Sequence, residues 1–255
     1  MEIDISNNEI VDTIISSLKT NTPFSLVRIG DGEMIIAENM DIVSAYCVRQ
    51  AGRVFNDSEL KIVRDIISEG IIGCDVLGIP RPIQIEQNWT LKNIFSYISN
   101  VKANNQKNWK EKKYCTNNAH MDLLNKKGIF DILSSAKSVC IVSSRDIRER
   151  IKIRFPNITD IEYYSIPGEQ SFEVVKNTTI DILPLIDKIS NQLKSKNRHG
   201  QLLIYGCGPF GKNLGNIFAS VGGVAIDLGS VFDAFVGKVT RGKGKGATVL
   251  TDPRL

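Results

Sequence analysis

The sequence lacks the cysteine patterns that mark disulfide frameworks and many metal sites. Its cysteines are Cys47, Cys74, Cys115, Cys140 and Cys207. They form no Cys-x-x-Cys pair, and an odd number does not fit a fully paired set of disulfides. Most of them lie inside apolar runs such as 139-VCIV-142, which is typical of buried, reduced thiols. This pattern predicts a protein of a reducing cytoplasm.

The sequence also lacks a long apolar segment and a strong excess of one charge. No run approaches the roughly 18 apolar residues of a membrane-spanning helix. The polar start MEIDISNNEI does not resemble a secretory signal. The net charge of +4, from 32 basic and 28 acidic residues, is too small to indicate nucleic-acid binding. It is compatible with an anionic small molecule or an anionic membrane surface, so we expect a soluble, cytoplasmic protein.

What the sequence does contain is a regular alternation of short apolar runs and longer amphipathic ones. The short runs predict strands at 24–29, 72–79, 138–143, 161–166, 201–205 and 223–228. The longer ones predict helices at 8–20, 57–70 (N-cap Asp57 or Ser58), 145–155, 170–196 with a break at Pro184, and 211–222. Such alternation indicates an α/β fold that is Rossmann-like, a mostly parallel sheet with helices on both faces.

Two segments differ from this alternation. Residues 84–130 are more polar and irregular, so we interpret them as an insertion or lid within a single α/β domain spanning 1–237. Residues 238–255 are basic and rich in glycine, which predicts a flexible tail. Its cationic residues, Lys238, Arg241, Lys243 and Lys245, suit peripheral contact with anionic lipid. A simply solvated tail is the alternative.

The first predicted strand ends in an unusual group of residues within 24-FSLVRIGDGEMIIA-37. These are Arg28, Gly30, Asp31, Gly32 and Glu33. Two carboxylates one residue apart suit Mg²⁺ or Mn²⁺, which takes one or two carboxylates and completes its shell with water and phosphate. Arginine offers a fixed fork for a phosphate oxygen, and glycines let the backbone approach a ligand closely. The alternative is a strand-to-helix turn in which Asp31 caps the helix and Glu33 complements its dipole.

A second glycine-bearing turn, 205-YGCGPFGKNLG-215, follows the predicted strand 201–205. Gly206, Gly208 and Gly211 spell Gly-x-Gly-x-x-Gly between a strand and a helix, which is the context of a dinucleotide-binding fingerprint. Asp227 lies 16 residues beyond the last glycine, where a ribose acceptor is expected. This turn therefore also fits an S-adenosylmethionine-dependent methyltransferase or an NAD-dependent enzyme.

Two further strand ends carry polar residues. Ser143, Ser144 and Arg145 follow one strand, and their amides and hydroxyls suit a phosphate, a ribose or a base. The alternative is that Ser144 is simply a helix N-cap. In 226-IDLGSVFD-233, Asp227 and Asp233 surround a glycine turn, and either carboxylate suits a general base or a sugar-hydroxyl acceptor. Helix capping is again the alternative.

Taken in order, the segments RIGDGE, IPGEQSF, YGCGPFGK and IDLGSVFD resemble the GT-D-type group of bacterial glycosyltransferases. The resemblance covers about residues 20 to 236. It implies that Asp31 and Glu33 form the metal and sugar-nucleotide motif, with Mn²⁺ or Mg²⁺ as the cofactor. It also implies a nucleotide-sugar donor, by resemblance a UDP-sugar. The products would be bacterial surface polysaccharides or glycoprotein glycans.

One segment departs from the pattern of that group. Where its members tend to have an Arg-Pro-Tyr-like sequence, this chain has 114-YCTNNAHMD-122. We therefore interpret His120 and Asp122 as parts of an acceptor site particular to this protein, with His120 as a catalytic candidate. A structural histidine is the alternative. The acceptor implied by the resemblance is a glycan on a lipid or protein carrier.

Overall fold

A computed structural model of the chain describes residues 1–125, 127–168 and 181–237. Seven strands form one sheet in the order β3-β2-β1-β7-β6-β4-β5, and every pair of neighbours is parallel. The strands are β1 (Phe24–Arg28), β2 (Val76–Ile79), β3 (Lys113–Thr116), β4 (Ser138–Ser143), β5 (Asp160–Ser165), β6 (Leu202–Tyr205) and β7 (Val224–Asp227). The predicted α/β class with a parallel sheet is confirmed.

Helices cover both faces of this sheet. They are α1 (Asn7–Thr20), α2 (Asp31–Ala37), α3 (Val43–Ala51), α4 (Asp57–Gly73), α5 (Pro82–Gln87), α6 (Ile94–Asn104), α7 (Ala119–Asn125), α8 (Gly128–Ser135), α9 (Arg148–Arg154), α10 (Ile182–Lys194), α11 (Leu214–Ser220) and α12 (Val231–Phe235). Short 3₁₀ turns lie at Trp89–Leu91 and Gly208–Gly211.

The core has two halves because successive strand residues point to opposite faces. On β1, Val27 belongs to the half that contains α4, α6, α10 and α11. Its neighbour Leu26 belongs to the other half, with α1, α8, α9 and α12. Since both faces are covered, the strands in the middle of the sheet are largely apolar on both sides, as the near-continuous runs predict.

Two local predictions about helix ends are wrong. Helix α4 is capped by Asn56, whose side chain accepts a hydrogen bond from the Glu59 N–H, and not by Asp57 or Ser58. Pro184 does not break a helix, because it lies in the first turn of α10, where its missing N–H has no intrahelical role. The part of the predicted helix at 170–180 lies outside the described residues.

Described residues of the segment 84–130 pack onto the sheet and into the core. They supply the edge strand β3, helices α6 and α7 and parts of α5 and α8, and Ile94, Ile98 and Val101 of α6 lie buried in the core. The strand was missed because its sequence, KYCT, has only two buried residues and so carries no apolar run. Part of the polar run at 102–113 lies in the turn and loop that join α6 to β3.

No helix in the described ranges is long and apolar enough to cross a membrane. The predicted basic tail, residues 238–255, lies outside the described residues, as does the end of the IPGEQSF segment.

Candidate functional site

A cavity of about 680 Å³ opens at the carboxyl ends of the strands, where α/β sheets bind their ligands. Among the residues that the sequence analysis proposed for the site, all but Gly211 and Asp122 line it. Those that line it are Arg28, Gly30, Asp31, Gly32, Glu33, His120, Ser143, Ser144, Arg145, Gly206, Gly208, Asp227 and Asp233. They come from five parts of the chain and meet because parallel strands end at one edge of the sheet.

The turn from β1 into α2 presents its two carboxylates differently. Gly30 is the N-cap of α2, and its N–H donates to Glu33 Oε2 at 2.7 Å. Asp31 is the first helical residue and is exposed at the cavity. The capping alternative is therefore wrong in detail, since Glu33, not Asp31, closes this helix end. A side chain at Gly32 would meet the hydroxyl of Tyr46, with only 2.0 Å between the atoms.

Lys212 fixes the position of the Glu33 carboxylate. Its Nζ lies 3.0 Å from Glu33 Oε1 and 2.7 Å from Asp227 Oδ2, and all three side chains are buried. Burial lowers the pKa of Lys212, but the two carboxylates more than offset this and the net shift is upward. Lys212 is therefore a cation at neutral pH, and it joins the β1 turn to the end of β7.

Arg28 completes this buried network. Its Nε donates to the Asp227 carbonyl at 2.9 Å, and one terminal nitrogen lies 3.1 Å from Asp227 Oδ1. Burial alone raises the pKa of the Asp227 carboxyl, but Arg28 and Lys212 outweigh it and hold the pKa below its usual range. Asp227 is thus a permanent anion with both oxygens engaged. That argues against its predicted roles as a general base and as a ribose acceptor.

His120 and Asn117 fix the other side of the Arg28 guanidinium. The Nη1 of Arg28 lies 2.7 Å from His120 Nδ1 and donates to the Asn117 carbonyl at 2.9 Å. His120 is buried and lines the cavity. Its contacts fit the alternative of a structural histidine, and its position also places it beside the volume in which a ligand would bind. Asp122 does not line the cavity; it lies 3.7 Å from an Arg81 nitrogen and accepts a hydrogen bond from Asn7.

A second charged pair lies on the β4 side of the cavity. Arg145 Nε donates to Asp233 Oδ1 at 2.9 Å, and the Arg145 N–H donates to Ser143 Oγ. Ser144 is not an N-cap, because α9 begins only at Arg148, with Ile147 before it. These residues combine hydroxyls, a guanidinium and a carboxylate at one strand end, as the sequence predicted.

The glycine-rich turn that follows β6 lines the cavity and also packs closely against neighbouring segments. A side chain at Gly206 would meet the Gly229 carbonyl at 2.7 Å, and Gly208 has a φ of 56° in the left-handed region. The turn continues as a 3₁₀ segment, and α11 starts only at Leu214. The third glycine of a dinucleotide fingerprint opens the helix itself, so this turn departs from that geometry.

The carboxylates of the cavity supply some of the ligands that a divalent cation needs. In the ranges that the structure describes, no group of three or more histidine, cysteine, aspartate or glutamate side chains is arranged to hold a metal by itself. Asp31 offers an exposed carboxylate, whereas both oxygens of Glu33 already have partners. Mg²⁺ and Mn²⁺ are commonly bound by one or two carboxylates together with substrate phosphates. The residues present therefore fit such an ion bound jointly with a phosphate ligand.

Sequence reasoning missed Lys212, which is central to the buried network. A signal for it exists, since it directly follows the third glycine in GPFGK, where a long cationic side chain reaches back to the strand ends. Asn117, Tyr46 and Gln50, which also line the cavity, carry no such signal. Their roles depend on helix and strand packing that no short motif encodes.

Comparison with known proteins gives the following matches. A GT-D-like family model, described as a GT-D fold-like domain, matches residues 5–235. A structure described as a new glycosyltransferase from Streptococcus sanguinis is 17% identical, with a TM-score of 0.49, and the match covers 92% of this chain and 84% of that one. No curated protein matches the chain.

Two further structures of similar likeness belong to the domain of unknown function 1792. A selenomethionine-substituted structure is 16% identical, covers 91% of this chain and 84% of that one, and has a TM-score of 0.48. One described as having a distinct glycosyltransferase fold is 17% identical, covers 89% and 78%, and has a TM-score of 0.46. By the family match, which spans residues 5–235 of the 255, the chain belongs to the GT-D-like family of glycosyltransferases.

Proposed function

We propose that the protein transfers a sugar from a UDP-sugar, with Mn²⁺ or Mg²⁺ bound between Asp31 and the donor diphosphate. The charge of the cavity carries this proposal. Among the described lining residues, three cations, Arg28, Arg145 and Lys212, face four carboxylates, Asp31, Glu33, Asp227 and Asp233. Such a cavity does not attract a nucleoside diphosphate unaided. A divalent ion on the exposed Asp31 reverses the balance where the diphosphate would lie.

The buried network has a different task from Asp31. Lys212 and Arg28 hold Glu33 and Asp227 in fixed positions beneath the β1 turn, so that the backbone at Gly30 and the Asp31 carboxylate are already in place before a ligand binds. Fixed charges of this kind stabilise negative charge that develops on a leaving diphosphate without reorganising. When bound, the ion would act as a Lewis acid on that leaving group. We assign Glu33 to positioning and Asp31 to direct ligation.

The acceptor is proposed only as a chemical class. A glycosyltransferase needs a donor and an acceptor, and we propose a glycan on a lipid or protein carrier in the synthesis of bacterial surface polysaccharides or glycoproteins. His120 stays a catalytic candidate on its place beside Arg28. The predicted cytoplasmic location and peripheral membrane contact stay predictions, because the basic segment 238–255 lies outside the described residues.

The alternative of an S-adenosylmethionine-dependent or NAD-dependent enzyme loses its support. It depended on Asp227 as a ribose acceptor, and that carboxylate is buried between Arg28 and Lys212. Family membership points the same way.

Calorimetric titration with UDP tests the proposal. We expect binding to the full chain that strengthens at least about tenfold when Mn²⁺ is added, and Asp31→Asn to abolish that increment. Asp41→Asn, at an exposed position outside the cavity, is the matched control and should behave as the unaltered protein. Binding of UDP that ignores Mn²⁺, or an Asp31→Asn protein with a full Mn²⁺ response, contradicts the proposal.

A further inference from the structure

The cavity is divided into a charged part and a neutral part. All seven charged lining residues lie at the carboxyl ends of β1 and β7 or in the segments that follow β1, β4, β6 and β7. The walls that follow β2 and β3 carry side-chain amides instead. Together with one from α3, these amides are Gln50, Gln84, Gln87, Asn88, Asn117 and Asn118, called the amide wall below.

The chemistry of the amide wall suits an uncharged, hydroxyl-rich ligand. Each side-chain amide both donates and accepts hydrogen bonds, as each sugar hydroxyl does. Part of this capacity is used locally: Gln84 Oε1 accepts from the Arg81 N–H at 2.8 Å, and Asn88 Oδ1 accepts from Thr90 Oγ1 at 2.7 Å. The NH₂ groups of both residues take no part in these hydrogen bonds. Gln87 and Asn118 are exposed lining residues.

An exposed aromatic residue lies next in sequence to this wall. Trp89 lies between the lining residues Asn88 and Leu91 and is 64% exposed. The flat indole face complements the C–H face of a sugar ring. Ile83, on the same short segment, is 53% exposed. The segment that carries the amide wall thus also exposes apolar surface.

The opposite wall fits a nucleoside better than the amide wall does. It combines the apolar lining residues Ile166, Pro167 and Phe232 with Ser143 and Arg145. A base and a diphosphate laid along that wall and the charged strand ends leave the amide wall for the second substrate. From this distribution of lining residues we infer that the amide wall, with Trp89, binds the neutral sugar ring of the acceptor. This inference rests on the proposed glycosyltransferase function and adds the acceptor's place and class.

Saturation-transfer NMR on the full chain tests it, with a panel of methyl glycosides of neutral hexoses and N-acetylhexosamines, each with and without UDP and Mn²⁺. We expect at least one glycoside to bind. The variant Gln87→Ala/Asn118→Ala should weaken that binding roughly tenfold, and Trp89→Ala should weaken it as well. Affinity for UDP should change less than about twofold. Gln106→Ala/Asn108→Ala, two exposed residues outside this cavity, is the matched control.

The outcomes separate this inference from the donor proposal. If no glycoside binds, or if the variant and its control bind glycosides alike, the inference is overturned. It is also overturned if the variant loses UDP together with the glycoside, because the wall would then hold the nucleotide. Glycoside binding that depends on the amide wall, in a protein that does not bind UDP, supports the inference and counts against the donor proposal alone.

Discussion

Lys212 shows how much one buried cation determines in this site. It lies within 3.0 Å of two carboxylates that belong to different ends of the chain, Glu33 and Asp227. A buried charge left without its partner is costly, whereas a balanced pair is close to neutral in its net effect on stability. The same lysine therefore affects both the folding of the site and its electrostatic field.

Replacement of Lys212 by methionine, which keeps the length of the side chain, should destabilise the protein by about 3 kcal/mol. Transferase activity should fall about 100-fold or more, because Glu33 and Asp227 lose the cation that fixes them. Urea unfolding and donor turnover measure the two effects. Lys110→Met is the matched control: Lys110 pairs with Asp75 but is half exposed, so it should cost less than about 1 kcal/mol.

The double variant Glu33→Gln/Lys212→Met separates the two roles of this lysine. Removing one of the two stranded carboxylates should restore part of the stability but not the activity. Recovery of activity without recovery of stability would contradict the positioning role of this network.

At the level of helices and strands, the sequence predicted the apolar strands well because both faces of the sheet are buried. Residues 138–143, for example, are identical in prediction and structure. Strand β3 escaped because an edge strand of four residues needs no continuous apolar run. The polar segment that surrounds it suggested a lid, although its apolar residues recur at helical spacing in α6.

The same contrast explains the site. The glycine and carboxylate motifs are local, so RIGDGE and the later glycine turn could be recognised from the sequence. Lys212 follows β6 and Glu33 follows β1, and β7 lies between these two strands in the sheet. No spacing along the chain predicts that the two side chains pair. The role of Glu33, as a metal ligand or as a positioning residue, can be assigned only when its pairing with Lys212 is known.

The buried face of α6, within the segment 84–130, makes a prediction about stability. Ile98 is fully buried, so Ile98→Ala should lower the free energy of unfolding by about 3 kcal/mol through lost burial and a residual cavity. Ile83→Ala, the same change at a half-exposed position of α5, should cost less than about 1 kcal/mol. Denaturant unfolding of both variants checks this. Equal, small losses would mean that the segment is a detachable lid after all.

For the molecule as a whole, the sheet keeps ionised groups buried at separate places. Asp227 lies among cations at the carboxyl end of β7, and Glu162, on the outer strand β5, pairs with the buried Arg198 at 2.8 Å. Burial works to raise the pKa of Glu162, but Arg198, Lys196 and Tyr164 outweigh it and the pKa is lowered. Both carboxyls therefore have folded-state pKa values below those of the unfolded chain.

This direction fixes how stability depends on pH. A carboxyl with a lowered pKa contributes its stability above its unfolded value, about 4 for these side chains, and loses it as the pH falls toward the folded value. We expect the free energy of unfolding to be level near pH 7 and to decrease steadily below about pH 5. Glu162→Gln should lose about 2 kcal/mol at pH 7, with a shallower decrease in acid, because it has one such carboxyl fewer. Urea unfolding across this pH range measures both quantities. Glu149→Gln, at a side chain 79% exposed, should keep the full acid dependence. A Glu162→Gln protein that is less stable by the same amount at every pH would show that its carboxylate charge is not what Arg198 needs.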